Sequence, residues 1–417
     1  MTNSEAISLN GRKKPRLFYG YIIVGIGFFL MTIGSGAVSS YGIFFKPLLL
    51  EFGWTRAATS GAFSLCFLAQ GILSIFSGRL TDRFGPRLIL TAAGFFLGLS
   101  LLLMPQISTG WQLYLFSGVL AGIGLGCIWV PVLSTVPRWF ARKRGLMVGI
   151  VSSGAGVGQL IVSPLASHLI IDFGWRTSYL ILGITSLAAI VATAQIYKRD
   201  PSQTGQLPDG ADTENHGGSD MEPTGFSLRE AMHTKRLWML SIAYFCHGFV
   251  SLSILLHIVP HATDLGISAV SAATIISTIG GGNLVGRIGM GSAADRIGTK
   301  QAVIIGFMLS TASLFGLLIT REIGMLYVFA AVFGFAWGCV VALEPPLLAE
   351  SFGLKAHGAI LGVIVLSVSL GSTIGPLLAG YLFDVNDSYQ PAFMVFAVLS
   401  LISLILTILF KHPGRTG

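Results

Sequence analysis

Residues 78–87 read GRLTDRFGPR, and residues 291–300 read GSAADRIGTK. Both fit the pattern G-x-x-x-D-R-x-G-x-[RK], at an offset of 213 residues from 78 to 291. The offset recurs: Gly145, Gly149 and Gly158 are matched by Gly358, Gly362 and Gly371. Two independent matches at one period mark a duplicated unit that fills about half of the 417-residue chain. Each decapeptide is a polar interruption between long apolar runs, where a loop joining two helices falls.

A helix needs about 20 apolar residues to cross a bilayer. Such runs cover 18–46, 55–80, 87–105, 111–136, 145–170 and 175–197, then 236–262, 269–293, 300–320, 324–349, 357–383 and 391–410. In hydrocarbon the backbone must satisfy its own hydrogen bonds, so the runs are read as helices. The expected fold is an all-α membrane protein, twelve transmembrane helices in two six-helix halves. The layout is a tail at 1–17, a first half at 18–197, a linker at 198–235, a second half at 236–410 and a tail at 411–417. The linker is rich in Asp, Glu, Asn, Gly, Ser and Pro and reads as flexible, with a short surface helix within 226–234.

Composition agrees. Hydrophobic residues are 53% and charged residues only 11%, against about 25% in soluble domains. Mean hydropathy is +0.76. A cytosolic enzyme, a nucleic-acid-binding domain and a disordered scaffold are poor readings of such a chain. The net charge of +8 is assigned to orientation rather than to nucleic acid. Lys46, Arg56, Arg176 and Arg321 fall on the face opposite the N-terminus, and Arg287 falls inside a span. The other 21 of 26 basic residues share the N-terminal face (26 − 4 − 1). Basic loops stay in the cytoplasm, so both termini and the linker are expected there. Cys66, Cys127, Cys246 and Cys339 sit in apolar runs and read as small hydrophobes. No P-loop, HExxH or paired Cys/His spacing is present, so no cofactor or metal is expected and ATP-driven transport is disfavoured.

The repeated loop on six-plus-six spans resembles the major facilitator superfamily. A narrower match is to its monocarboxylate transporters and their oxalate–formate antiporter relatives. The matching stretches are 18–21 (FYGY), 41–46 (YGIFFK), 52–56 (FGWTR), 138–146 (RWFARKRGL) and 286–291 (GRIGMG). The resemblance implies the major facilitator fold and a latch at the cytoplasmic face. In it Asp82 and Asp295 accept hydrogen bonds from neighbouring helix starts and arginines, with Arg138 and Glu350 as partners and Arg83 and Arg296 completing the motif. It also implies that helices 1, 4, 7 and 10 line a central cavity. The chain departs from the animal carriers, which open on a D-G-G-W-like motif. It has Ser39 where they carry a lysine and Asn283 where they carry an aspartate.

Arg287 is the expected carboxylate anchor, because an arginine inside a span is costly unless it faces a cavity, and a guanidinium binds a carboxylate through paired hydrogen bonds. Asn283, one turn earlier, either donates to the substrate or holds the arginine. His257 is the expected substrate contact or proton relay. His247 reads as a core histidine and His261 as interfacial. Trp129 and Trp337, beside Cys127 and Cys339, are expected to wall the site, with Ser39 near it. Glu344, next to Pro345 and Pro346, is left between gating and coupling.

The resulting expectation is a secondary transporter of small monocarboxylates, proton-coupled and working by alternating access. Its partners are a small carboxylate, a proton and the lipid bilayer. It is expected to act as a monomer in a bacterial inner membrane. An oxalate–formate type exchanger is the alternative, and a drug–proton efflux carrier a third reading.

Overall fold

The computed structural model describes residues 18–54, 56–210, 225–320 and 322–410. The expected tails at 1–17 and 411–417, the middle of the linker and Arg321 lie outside them. Among the described residues, twelve long helices follow in order. In the first half they are α1 (Tyr19–Phe52), α2 (Arg56–Phe84), α3 (Pro86–Leu103), α4 (Gly110–Trp139), α5 (144–173) and α6 (175–194). In the second they are α7 (Lys235–Asp264), α8 (Ala269–Ile297), α9 (Thr299–Ile319), α10 (Ile323–Phe352), α11 (His357–Asn386) and α12 (Gln390–Leu409). Each half has six, and an even number of spans returns both ends to one face.

Two helices run past their expected limits. α1 is interrupted by a turn at Ser40 and resumes through Pro47 to Phe52, so the first span extends beyond residue 46. α5 and α6 run nearly end to end and are separated by Gly174, whose φ of 77° breaks the helical path. The linker is less free than its composition suggests. On one side Asp209 accepts from the backbone N–H groups of Ala141 and Arg142, both at 3.0 Å. On the other, Phe226 N–H donates to the Phe352 carbonyl at 2.8 Å. The surface helix is present as Leu228–Met232, with Ser227 and Glu230 forming a reciprocal cap.

The duplicated glycines explain themselves in three dimensions. Gly85 and Gly298, the later glycines of the two loops, have φ of 84° and 95°, a region L side chains rarely adopt. They turn α2 into α3 and α8 into α9. The earlier glycines are contact points between the halves. A side chain on Gly78 would meet the Gly358 carbonyl, and one on Gly291 would meet the Gly145 carbonyl. α2 therefore packs along α11 and α5 along α8, backbone to backbone, at two sites related by the duplication. Small residues at such crossings let helices approach closely when lipid supplies no hydrophobic drive between them.

Candidate functional site

The acidic residues of the repeated loops stand where those crossings end. Asp82 accepts from Gly358 N–H (3.2 Å) and Ala359 N–H (2.9 Å), the first turn of α11. Asp295 accepts from Gly145 N–H (2.8 Å) and Leu146 N–H (3.1 Å), the first turn of α5. Each carboxylate thus caps a helix of the other half, where unpaired N–H groups and the helix dipole favour negative charge. Arg138 adds a third strand to the first contact. Its Nη2 donates to Asp82 (3.1 Å) and to the Leu354 carbonyl (2.7 Å). The second contact is built differently: the repeat sets Ser351 at the place of Arg138, and the neighbouring Glu350 accepts from Thr299 Oγ1 (2.6 Å). Arg83 and Arg296 are exposed. The halves are therefore joined at the terminus-bearing end.

Between the halves lies a cavity of about 260 Å³. Arg287 and Glu344 lie ten and eight residues from the terminus-bearing ends of α8 and α10. At 1.5 Å per residue both are well inside the bilayer. Trp129, Trp337 and Phe67 form much of the apolar wall. Ser39, Gln70, Gln159, His247, Ser251 and Ser369 add polar groups.

Arg287 is 7% exposed. Its Nε donates to Asn283 Oδ1 at 2.8 Å, and its Nη1 donates across the half-interface to the Ser152 carbonyl. No hydrogen bond to Nη2 occurs among the described residues. Asn283 Nδ2 is buried without a partner, as are Gln70 Oε1, His247 Nε2, Ser251 Oγ and Glu344 Oε1. Buried polar atoms are nearly always paired. A cluster of unpaired ones around one cavity marks a place built to be filled by a polar solute or water.

Of the residues expected at a substrate site, the structure brings Arg287, Trp129, Trp337 and Ser39 onto the cavity wall, with Asn283 directly behind the arginine. It does not bring His257 or Cys127. The His257 ring is engaged by Tyr389 Oη (3.3 Å) and the Pro376 carbonyl (3.1 Å), in the far end of the second half. Cys127 is buried in the apolar core. His247, read from sequence as a core residue, lines the cavity instead. Gln70 and Ser369 were not singled out at all. Their signal is helical spacing: Phe67 and Gln70 are i and i+3 on α2, and Val365, Ser369 and Ser372 are i, i+4 and i+7 on α11.

The chain is similar to curated proteins over most of their length. The mouse monocarboxylate transporter 12 is 28% identical, over 97% of this chain and 88% of its own. The oxalate:formate antiporter of Oxalobacter formigenes is 26% identical, over 100% of this chain and 96% of its own. Among solved structures, the human organic anion transporter MFSD10 superposes with a TM-score of 0.71 at 18% identity, covering 93% of this chain and 99% of that one. The Escherichia coli fucose:proton symporter FucP also gives 0.71, at 13% identity, covering 94% and 98%. The model of the Major Facilitator Superfamily matches residues 17–321 and again 240–417, one match reaching across the first half and the other across the second. With the twelve helices, the paired loops and both matches in agreement, the chain belongs to the major facilitator superfamily.

Proposed function

We propose that this protein carries small monocarboxylates of the lactate or pyruvate kind across the membrane by alternating access, with a proton moving alongside the anion. The observation that carries the reading is Arg287: a buried guanidinium on the wall of a central cavity, with Nη2 unused and an unpaired Asn283 amide beside it. A carboxylate placed there takes charge-assisted hydrogen bonds from both. Trp129 and Trp337 enclose its short apolar tail. The cavity volume falls below the roughly 300–1,000 Å³ of drug-sized sites, which favours small anions over bulky drugs. The relatives that carry monocarboxylates or exchange oxalate for formate by name support the same class.

The latch supplies the moving part. In this reading Asp82 and Asp295, bonded to helix starts of the opposite half, hold the terminus-bearing end shut. We assign that end to the cytoplasm, from its excess of basic residues. Opening toward the cytoplasm breaks both carboxylate caps and the Arg287–Ser152 hydrogen bond, and the halves rock about the bound anion. An anion moving alone works against about 2.3 kcal/mol per 100 mV of membrane potential, so proton companionship is the favourable cycle.

The test is uptake of labelled L-lactate into proteoliposomes, with and without an inward proton gradient and with and without internal cold lactate. Gradient-driven uptake into empty vesicles is expected. Uptake that requires internal substrate and ignores the gradient identifies an exchanger instead, the reading that Asn283 in place of an aspartate favours. Absence of uptake under every condition removes the monocarboxylate reading.

Asn283→Leu gives a finer check. It removes the Oδ1 that holds Arg287 and the unpaired Nδ2 donor. A hydrogen bond to a charged group contributes about 1.5–3 kcal/mol, so KM for lactate is expected to rise about tenfold or more. An unchanged KM would place Asn283 outside the binding event.

A further inference from the structure

The cavity holds a second ionisable group that anion binding leaves unused. Glu344 is 5% exposed, shares the cavity wall with Arg287, and has an Oε1 without a hydrogen-bond partner. It forms no ion pair within 4 Å among the described residues, so its charge can change without breaking a salt bridge. The ionisable groups around it come from four helices. α7 contributes His247 on the cavity wall and Tyr244, whose hydroxyl donates to the Val340 carbonyl at 3.4 Å. α8 contributes Arg287. α10 itself contributes Cys339, whose thiol donates to the Ala302 carbonyl. α11 contributes His357, whose Nε2 lies 2.9 Å from the Pro345 carbonyl oxygen. Among the cavity-lining residues, Arg287 is the one permanent cation and Glu344 the one carboxylic acid.

A net charge in a cavity that must close inside a bilayer is strongly disfavoured. Two occupancies of this cavity are neutral. One is empty, with Glu344 ionised and its charge balancing that of Arg287. The other holds an anion on Arg287 and a proton on Glu344. The anion alone leaves one negative charge, and the proton alone leaves one positive charge. Only the two neutral forms close readily, which is the rule for moving one proton with one anion. Protonating His247 instead would leave Glu344 ionised throughout, with a buried oxygen unpaired.

We propose that Glu344 is the proton-binding group of the transport cycle, matched in charge to Arg287 on the same cavity wall so that one proton travels with each carboxylate. The assignment rests on the carboxylate reading above, and wild-type uptake tests that reading first. Glu344→Gln mimics the permanently protonated acid. Its loaded form is neutral and its empty form is positive, so exchange survives and empty return does not. Lactate counterflow is expected within about threefold of wild type, while proton-driven net uptake falls at least about tenfold. In weakly buffered detergent solution, purified wild type takes up about one proton per lactate bound, and E344Q none, the proton neutralising the buried anion charge.

Net uptake by E344Q at the wild-type rate overturns the assignment. So does proton uptake on lactate binding by E344Q, or loss of the gradient response in His247→Gln with counterflow intact. If E344Q also loses counterflow, the binding measurement decides: lactate bound without a proton supports the assignment, and no lactate bound overturns it. A wild-type protein that moves no small monocarboxylate removes the carboxylate reading itself, before any variant is compared.

Discussion

Arg287→Lys lowers carboxylate uptake about 100-fold or more at equal protein in the membrane. Lysine keeps the charge, so general attraction for anions remains. It loses the planar fork and the two hydrogen bonds that aim it, from Nε to Asn283 and from Nη1 to the Ser152 carbonyl. Breaking one member of a buried, hydrogen-bonded charge pair costs about 2–5 kcal/mol, and each 1.4 kcal/mol is a factor of ten. The variant is expected to fail in counterflow as well as in net uptake, since both need the anion bound. That separates it from Glu344→Gln, which fails in net uptake alone. Substantial uptake by R287K in matched proteoliposomes would show that the anion is held elsewhere.

The second large effect lies at the half-interface. Gly358→Leu puts a side chain against the Gly78 carbonyl and the Asp82 carboxylate. Forced overpacking costs about 1–3 kcal/mol. The displaced Asp82 also loses charge-assisted bonds to Gly358 and Ala359. A bias of about 2–4 kcal/mol against the closed latch shifts that equilibrium about thirtyfold or more. Uptake is expected to fall accordingly, with the carrier held open toward its termini. The four native cysteines are all buried, so a cysteine introduced at Ser369 reports on the cavity. An impermeant thiol reagent should label it from the terminus-bearing side in Gly358→Leu and from the opposite side in the parent. Unchanged labelling and uptake would refute the latch.

Several features were legible before any coordinates. The apolar runs located the spans because a span depends on local hydropathy alone. α8 is the marginal case. Among the described residues, ten stretches qualify as membrane-crossing by length and hydropathy, and α8 is not one of them. Its run at 269–293 is read as a span from the sequence all the same, and the repeat places Gly291 and Asp295 near its end as Gly78 and Asp82 stand near the end of α2. Arg287 was legible because a charge in a span has few places to go. The roles of the two histidines on α7 were not. His247 and His257 are ten residues apart, about 15 Å along the axis and on different faces. One opens onto the cavity and the other onto Tyr389. Hydropathy treats the two positions alike.

The number of helices and the duplication that relates the halves were readable from the chain alone. Both depend on local properties, the length of apolar runs and the recurrence of a motif at one offset. Only the packed helices show which polar side chains share a cavity and at which end hydrogen bonds join the halves. Both follow from how each helix is rotated against its neighbours, and that rotation is set by contacts between residues far apart in the chain, such as Gly78 with Gly358 and Gly145 with Gly291. Glu344 comes to share the cavity wall with Arg287 only once α8 and α10 are packed. No stretch of sequence holds that relationship.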